Sequence, residues 1–291
     1  MIQRFLVFFI AIMSLVVVGI LAALVWFWGA TAVAPTATPT TLIPDWVAVT
    51  ANGELQIHRN GQTQTLRDDA FVGSETLPVM APDGSRIAYV RLVDTRIAVS
   101  VYALANASIT DIYTSDTQEM RMVQWSPDGR YIAFVTSDDA VLVAPSDGAT
   151  PATKIAQGGR SFVDWSPTST ALLVRIGVLG RDGGILGVYD VQKNKIVMSH
   201  ADVGDFQSAQ WDQTGSGYYY VVDATLASGD DATAVIRYQR LDGTYTDIVN
   251  EGTATIRLLP APAANQLAYI VARADQRLLR VWRNGCLLYT S

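Results

Sequence analysis

The chain has 291 residues, a formal net charge of −6, 49% hydrophobic residues and 16% charged ones. So apolar a composition excludes a disordered polar chain, and the acidic balance excludes a nucleic-acid binder that works through a basic face. One cysteine, Cys286, and two histidines, His58 and His200, exclude an internal disulfide framework and a Cys-rich zinc site, and leave little for histidine chemistry.

The N-terminus comes first. Phe5 to Trp28 is a run of 24 apolar or small residues without a charge. As a helix it would be roughly 36 Å long, against a hydrocarbon core of about 30 Å. It predicts a transmembrane helix over residues 5–28, with Trp26, Phe27 and Trp28 at its interfacial end. Arg4 is the only charge before it and the next basic residue is Arg59. The positive-inside bias then puts residues 1–4 in the cytoplasm and the body outside. The competing reading is a cleaved signal peptide, with small-residue sites at Ala30-Thr31-Ala32 and Ala32-Val33-Ala34. Under either reading the body is extracytoplasmic, in the cell membrane or secreted. Residues 29–44 read as a Pro/Thr-rich linker, since Pro35, Pro39 and Pro44 prevent a helix and favour extended chain.

From Asp45 onward, short β-rich runs alternate with Gly, Pro, Asp and Asn turns, and a motif recurs. Its clearest copy is Trp125-Ser126-Pro127-Asp128-Gly129 followed by Arg130-Tyr131-Ile132-Ala133-Phe134-Val135. Further copies begin at Met80, Trp165, Trp211 and, before Pro262, in Ala261-Pro262-Ala263-Ala264-Asn265. Positions 82, 127, 167, 213 and 262 are 45, 40, 46 and 49 residues apart. Pro sets φ for the second turn position, Asp bonds nearby backbone and Gly accepts positive φ. The strand that follows, Tyr131–Val135, is apolar throughout, so it must be covered on both faces. Stacked sheets provide that cover, with Trp filling the gap between them. Four strands per repeat predict an all-β, six-bladed β-propeller over residues 45–285, preceded by the one transmembrane helix.

The run W-S-P-D-G-R-Y-I-A-F-V and its copies resemble the TolB-type, WD-repeat-like β-propeller repeat over essentially all of Asp45–Gly285. The resemblance implies a fold. Members of that family include periplasmic components of envelope complexes and propellers fused to serine peptidases, and no particular activity follows from the fold.

The expected strands of the opening unit are Trp46–Thr50, Glu54–Arg59 and Gln62–Leu66, so it lacks its own first strand. Its pattern WVAVTANGELQIHRNG is echoed by LAYIVARADQRLLRVWRNG at Leu267–Gly285, so the last unit is expected to stop after a third strand. Residues 286–291 then read as a non-native or truncated tail that leaves a sheet edge exposed, with a native edge strand as the alternative. The second unit is read as Leu77–Met80, Arg86–Leu92, Ile97–Ala103 and Ile109–Tyr113.

No catalytic, cofactor-binding or metal-ligating residue is assigned, and no cofactor is expected. The pentapeptide G-x-S-x-G does not occur, and Gly215-Ser216-Gly217 reads as a turn. His58 and His200 read as structural or solvent-facing, Asp138-Asp139 and Asp230-Asp231 as loop charge, and Arg181-Asp182-Gly183-Gly184 as a loop without a following helix. Asn106-Ala107-Ser108 is a sequon by spelling alone. The expected function is a membrane-tethered extracytoplasmic binding or scaffold module of the cell envelope. It is held to the membrane by residues 5–28, docks a protein, peptide or glycan partner, and takes no nucleic acid. The alternative is the gating propeller of a larger serine peptidase.

Overall fold

The computed structural model describes residues 45–289 except 74–75, 178–183, 204–208, 224–233, 253, 260–265, 274–275 and 284–285. The expected anchor and linker, residues 1–44, lie outside the described residues. Among the described residues, no helix is long and apolar enough to cross a membrane.

Every described element is an antiparallel strand. The first sheet holds β1 (Trp46–Val49), β2 (Leu55–Arg59) and β3 (Gln62–Arg67). The second holds β4 (Val79–Met80), β5 (Arg86–Val93), β6 (Arg96–Ala103) and β7 (Ile109–Ser115). The third holds β8 (Met120–Trp125), β9 (Tyr131–Thr136), β10 (Ala140–Pro145) and β11 (Thr153–Gln157). Two further four-strand units follow. They are β12 (Gly159–Trp165) to β15 (Lys195–Val203), through β13 (Ala171–Gly177) and β14 (Gly184–Asp190), and β16 (Ala209–Trp211) to β19 (Tyr245–Asn250), through β17 (Gly217–Asp223) and β18 (Ala234–Arg240). These two are joined edge to edge by one pair, Val203↔Val222. The last sheet holds β20 (Thr255–Leu259), β21 (Gln266–Ala272), β22 (Arg277–Arg283) and β23 (Cys286–Tyr289).

Two expectations are corrected. Leu77 is outside β4 and 74% exposed. Pro78 has no N–H for a ladder, so the strand starts at Val79. The last sheet does not stop after three strands, because β23 pairs with β22 from Arg283↔Cys286 to Arg280↔Tyr289. The overlooked signal is Asn284-Gly285, which repeats Asn60-Gly61. Asn60 and Gly61 have φ of 53° and 76° and join the paired Arg59 and Gln62, the two-residue hairpin that Asn-Gly favours.

The motif turn has a definite geometry. In Ser126–Gly129, the Gly129 N–H donates to the Ser126 carbonyl at 2.8 Å, and the Ser126 N–H to the Tyr131 carbonyl at 2.9 Å. Gly129 sits at φ +69°, where a Cβ would lie 3.2 Å from Arg86 Nη2. Asp128 accepts from Ser126 Oγ at 2.7 Å and the Arg130 N–H at 3.1 Å, which pins the corner from inside. In the next copy Ser169 occupies the glycine position at φ 60°, and its hydroxyl accepts from the Asp128 N–H at 2.9 Å, tying one turn to its neighbour.

The apolar strand after each turn splits its side chains between two cores. Ile132 and Phe134 of β9 pack with Ala88, Val90, Val99 and Val101 of the preceding sheet. Ala133 and Val135, on the opposite face of the same strand, pack with Trp165, Leu172 and Val174 of the following one. Strand β13 divides likewise, Leu172 and Val174 facing back and Ala171 and Leu173 facing forward to Trp211, Tyr218 and Tyr220. Period-2 alternation with both faces apolar is what turns a continuous hydrophobic run into a sheet sandwiched by two others.

Candidate functional site

The first strand of each unit from the second onward forms an inner wall, with β4 beside β8, β8 beside β12, β12 beside β16 and β16 beside β20. Along this wall the motif tryptophans make one repeated contact. Trp125 Nε1 donates to the Val79 carbonyl at 2.9 Å, Trp165 Nε1 to the Gln124 carbonyl at 3.3 Å, and Trp211 Nε1 to the Asp164 carbonyl at 2.9 Å. Each acceptor is the residue one place before the motif position of the preceding unit. The three indoles are each at most 6% exposed, so the hydrogen bond satisfies a buried donor and fixes blade-to-blade register together.

Polar networks tie the ends of the blades. Arg91 bridges Asp69 at 3.0 Å and Asp111 at 2.9 Å, with the Tyr89 hydroxyl on Asp69 at 3.3 Å. Burial works against ionisation of Asp69, but Arg67 and Arg91 outweigh it and hold the carboxyl below its usual range. The corresponding Tyr269 donates to the buried Glu251 at 2.9 Å, where Arg280 closes to 2.5 Å. These networks cross blade boundaries, so they read as fasteners.

The residues considered in the sequence do not assemble a reaction centre. His58 stacks on Trp46 with ring centroids 4.9 Å apart, and its Nδ1 lies 3.1 Å from Thr63 Oγ1. His200 is in another unit, with Nε2 2.6 Å from the Tyr218 hydroxyl and its ring stacked on Tyr220. Ser216 Oγ donates to Asp212 at 2.8 Å inside a motif turn. Asp138 is bonded by Thr136 Oγ1 and Gln157, and Asp139 pairs with Arg121 at 2.6 Å. Asn106 Oδ1 accepts from the Ser108 N–H at 3.1 Å, which closes an Asx turn. Asp230-Asp231 and Arg181–Gly183 lie outside the described residues. Among the described residues, no three His, Cys, Asp or Glu side chains form a metal-ligating group.

What the sequence reading passed over is a polar trio on the inner wall. Gln124, Asp164 and Gln210 each immediately precede a motif Trp, in three consecutive units. Asp164 accepts from the Trp211 N–H at 3.4 Å. Desolvation pushes its carboxyl up to about 6, and the hydrogen bonds from Trp211 and Gln124 offset only part of that. Oε1 of Gln124 and Oε1 of Gln210 are both buried without a hydrogen-bond partner. The signal was available, because the spacings of 40 and 46 residues are those of the motif itself. Among the described residues, these two Oε1 atoms are the buried side-chain oxygens without a hydrogen-bond partner.

Sheets stacked face to face about an inner wall of first strands define a β-propeller. No family model matches the sequence, and no curated protein matches it. Solved structures do match. The β-propeller domain of the Trilobed protease from Pyrococcus furiosus, which has an open velcro topology, is similar at 14% identity over 73% of this chain and 69% of that one, TM-score 0.53. The β-propeller domain of Cps50 (Swd1) from Myceliophteria thermophila is similar at 8% identity over 84% and 81%, TM-score 0.52. TolB from Acinetobacter baumannii is 18% identical with TM-score 0.44, and the match covers 83% of this chain and only 61% of that protein's length.

Proposed function

We propose that the protein is a membrane-tethered, extracytoplasmic β-propeller that serves as a binding or scaffold module of the cell envelope. The carrying observation is the stack of blades locked by Trp125, Trp165 and Trp211, a rigid platform whose connecting loops are free to vary. The apolar run of residues 5–28 supports the tether, and the Pro/Thr-rich residues 29–44 support a spacer between membrane and propeller. The motif's resemblance to the TolB-type repeat supports an envelope setting, and a protein, peptide or glycan is the expected partner.

Protease accessibility tests the orientation. In intact spheroplasts of a bacterial host, added protease is expected to digest the propeller while a cytoplasmic marker survives. Full protection of the propeller, with digestion only after lysis, would refute it. A second reading, the gating propeller of a serine peptidase, draws on the fold likeness to the Pyrococcus furiosus protease domain. A native downstream coding sequence with G-x-S-x-G followed by Asp and His would favour it, and a stop within one or two strands would remove it.

A further inference from the structure

The first unit is one strand short on its inner side. In later units a first strand pairs with the second, as Met80 does with Ile87 and Trp125 with Ile132. The first sheet runs β1-β2-β3, and Asn60-Gly61 between β2 and β3 matches Asn284-Gly285 between the third and fourth strands of the last sheet. By that match β1 is a second strand. Later first strands lie beside the first strand of the preceding unit, whereas β4 lies beside β1.

The ladder phase leaves that edge of β1 open. The Thr50 N–H donates to the Glu54 carbonyl at 2.9 Å, so Trp46 and Ala48 turn their backbone groups to β2, and Val47 and Val49 turn theirs to the inner edge. Elsewhere that edge is used: the carbonyls of Arg86, Tyr131, Ala171 and Gly217 accept the N–H groups of Ala81, Ser126, Ser166 and Asp212. Among the described residues nothing pairs with β1 on this side. Exposure agrees, since Ile87, Ala88, Ile132 and Ala133 are fully buried while Trp46 is 42% exposed and Val47, Ala48 and Val49 are half-buried. The fastening differs as well. Trp125, Trp165 and Trp211 each hold the preceding first strand by a carbonyl, but the second unit carries Met80 at that position, which has no donor to hold a strand beside β1.

We propose that the inner edge of β1 takes an extended segment of a partner protein as the first strand of its unit, by β-strand addition. The segment continues the inner wall past β4, bonds the backbone groups of Val47 and Val49, and sets one row of side chains against Met80. The apolar Val47, Val49 and Met80 select a segment apolar at alternate positions, as β8 is, and the pliable Met80 accepts varied side chains there. First strands here are short, two residues in β4 and three in β16, so a few residues suffice and the strand is exchangeable. This rests on the binding-module reading and deepens it by naming a protein strand as what is bound; it does not depend on the membrane tether.

The probe is a labelled synthetic peptide that copies Met120–Ser126, titrated against the full chain in non-ionic detergent and read by fluorescence anisotropy and hydrogen exchange. Saturable binding is expected at roughly 0.1–1 mM, with slowed exchange in the segment that carries Val47 and Val49. In β8 the Ser126 N–H donates to the Tyr131 carbonyl, so the N–H groups of Met122 and Gln124 face the second strand. N-methylation of the peptide at those two residues is expected to weaken binding about tenfold or more, and N-methylation at Val123 to leave it within about twofold. Val47→Pro removes a donor that β2 does not use, so it is expected to keep the fold and lose the peptide; the methylated peptides carry the test if that variant fails to fold. Absence of binding, which the chain's own residues 29–44 would cause by filling the place, overturns the proposal. So does binding indifferent to the position of N-methylation, or binding without protection of β1. The binding-module reading itself falls only if other ligands are refused as well.

Discussion

Replacing Trp125 by alanine isolates the contact on which blade stacking depends. The indole is 6% exposed, lies in a core shared by the second and third sheets, donates to the Val79 carbonyl at 2.9 Å, and sits under the Arg86 guanidinium at 5.0 Å. Truncation of a buried aromatic to alanine costs about 3–5 kcal/mol through lost transfer energy and the cavity left behind. The Val79 carbonyl would also lose a donor, which adds about 1 kcal/mol where water does not replace it. Phenylalanine keeps most of the area and forfeits the hydrogen bond, so Trp125→Phe is expected to cost only about 1–2 kcal/mol. Urea unfolding of the full chain in detergent, followed by tryptophan-independent circular dichroism, measures both. The expected order is wild type, then Phe, then Ala, with the slope against urea unchanged. A cost below about 1 kcal/mol for Trp125→Ala would show that this indole does not fill a gap between sheets.

Other perturbations bear on the turns and the polar fasteners. Gly129→Ala is expected to cost about 1 kcal/mol or somewhat more, since φ is +69° and Arg86 Nη2 crowds the new methyl, while Ser169→Gly is expected to be nearly neutral because relief of strain offsets the lost bond to Asp128; denaturant midpoints distinguish them. Arg280→Met would remove the guanidinium 2.5 Å from the buried Glu251 carboxylate and leave it the Tyr269 hydroxyl and Arg273 at 3.4 Å, and is expected to cost about 3 kcal/mol at pH 7, read by urea unfolding. The Asp69 carboxyl is held below its usual range by Arg67 and Arg91 in the folded state. Its stabilising contribution is therefore present at neutral pH and lost as pH falls through the acidic carboxylate range; Asp69→Asn is expected to flatten that part of the stability–pH curve, and an unchanged curve would contradict the assignment.

Much of this architecture was readable from sequence because the determining interactions are local. Ser126-Pro127-Asp128-Gly129 specifies its corner through bonds within five residues, and the apolar run Tyr131–Val135 announces a strand covered twice. The expected strand starts at Arg86, Ile109 and Tyr131 coincide with those observed. The failures were also local in origin. Leu77 looked like strand until Pro78 removed a ladder donor, and a tail was preferred to an edge strand at β23 although Asn284-Gly285 repeats the dipeptide that joins β2 to β3. The inner-wall trio was of another kind. Gln124, Asp164 and Gln210 are polar residues inside strands, and only the inter-blade register sets the carbonyls of Gln124 and Asp164 against indoles of the next unit. The same holds for Tyr89 with Asp69 and Tyr269 with Glu251, in which a second-strand hydroxyl meets an acid that follows the preceding sheet's outer strand. Pairings that join one unit to the next leave no signature in either segment alone.

An experimental structure of the propeller body at a resolution that places indole nitrogens tests the central claim most directly. The account expects Trp125, Trp165 and Trp211 each to donate to the carbonyl one residue before the motif position of the preceding unit, at 2.9–3.3 Å, and successive sheets to be related by rotation about a common axis. Two flat layers packed as a sandwich, or indoles pointing into single-sheet cores without that recurring acceptor, would contradict it.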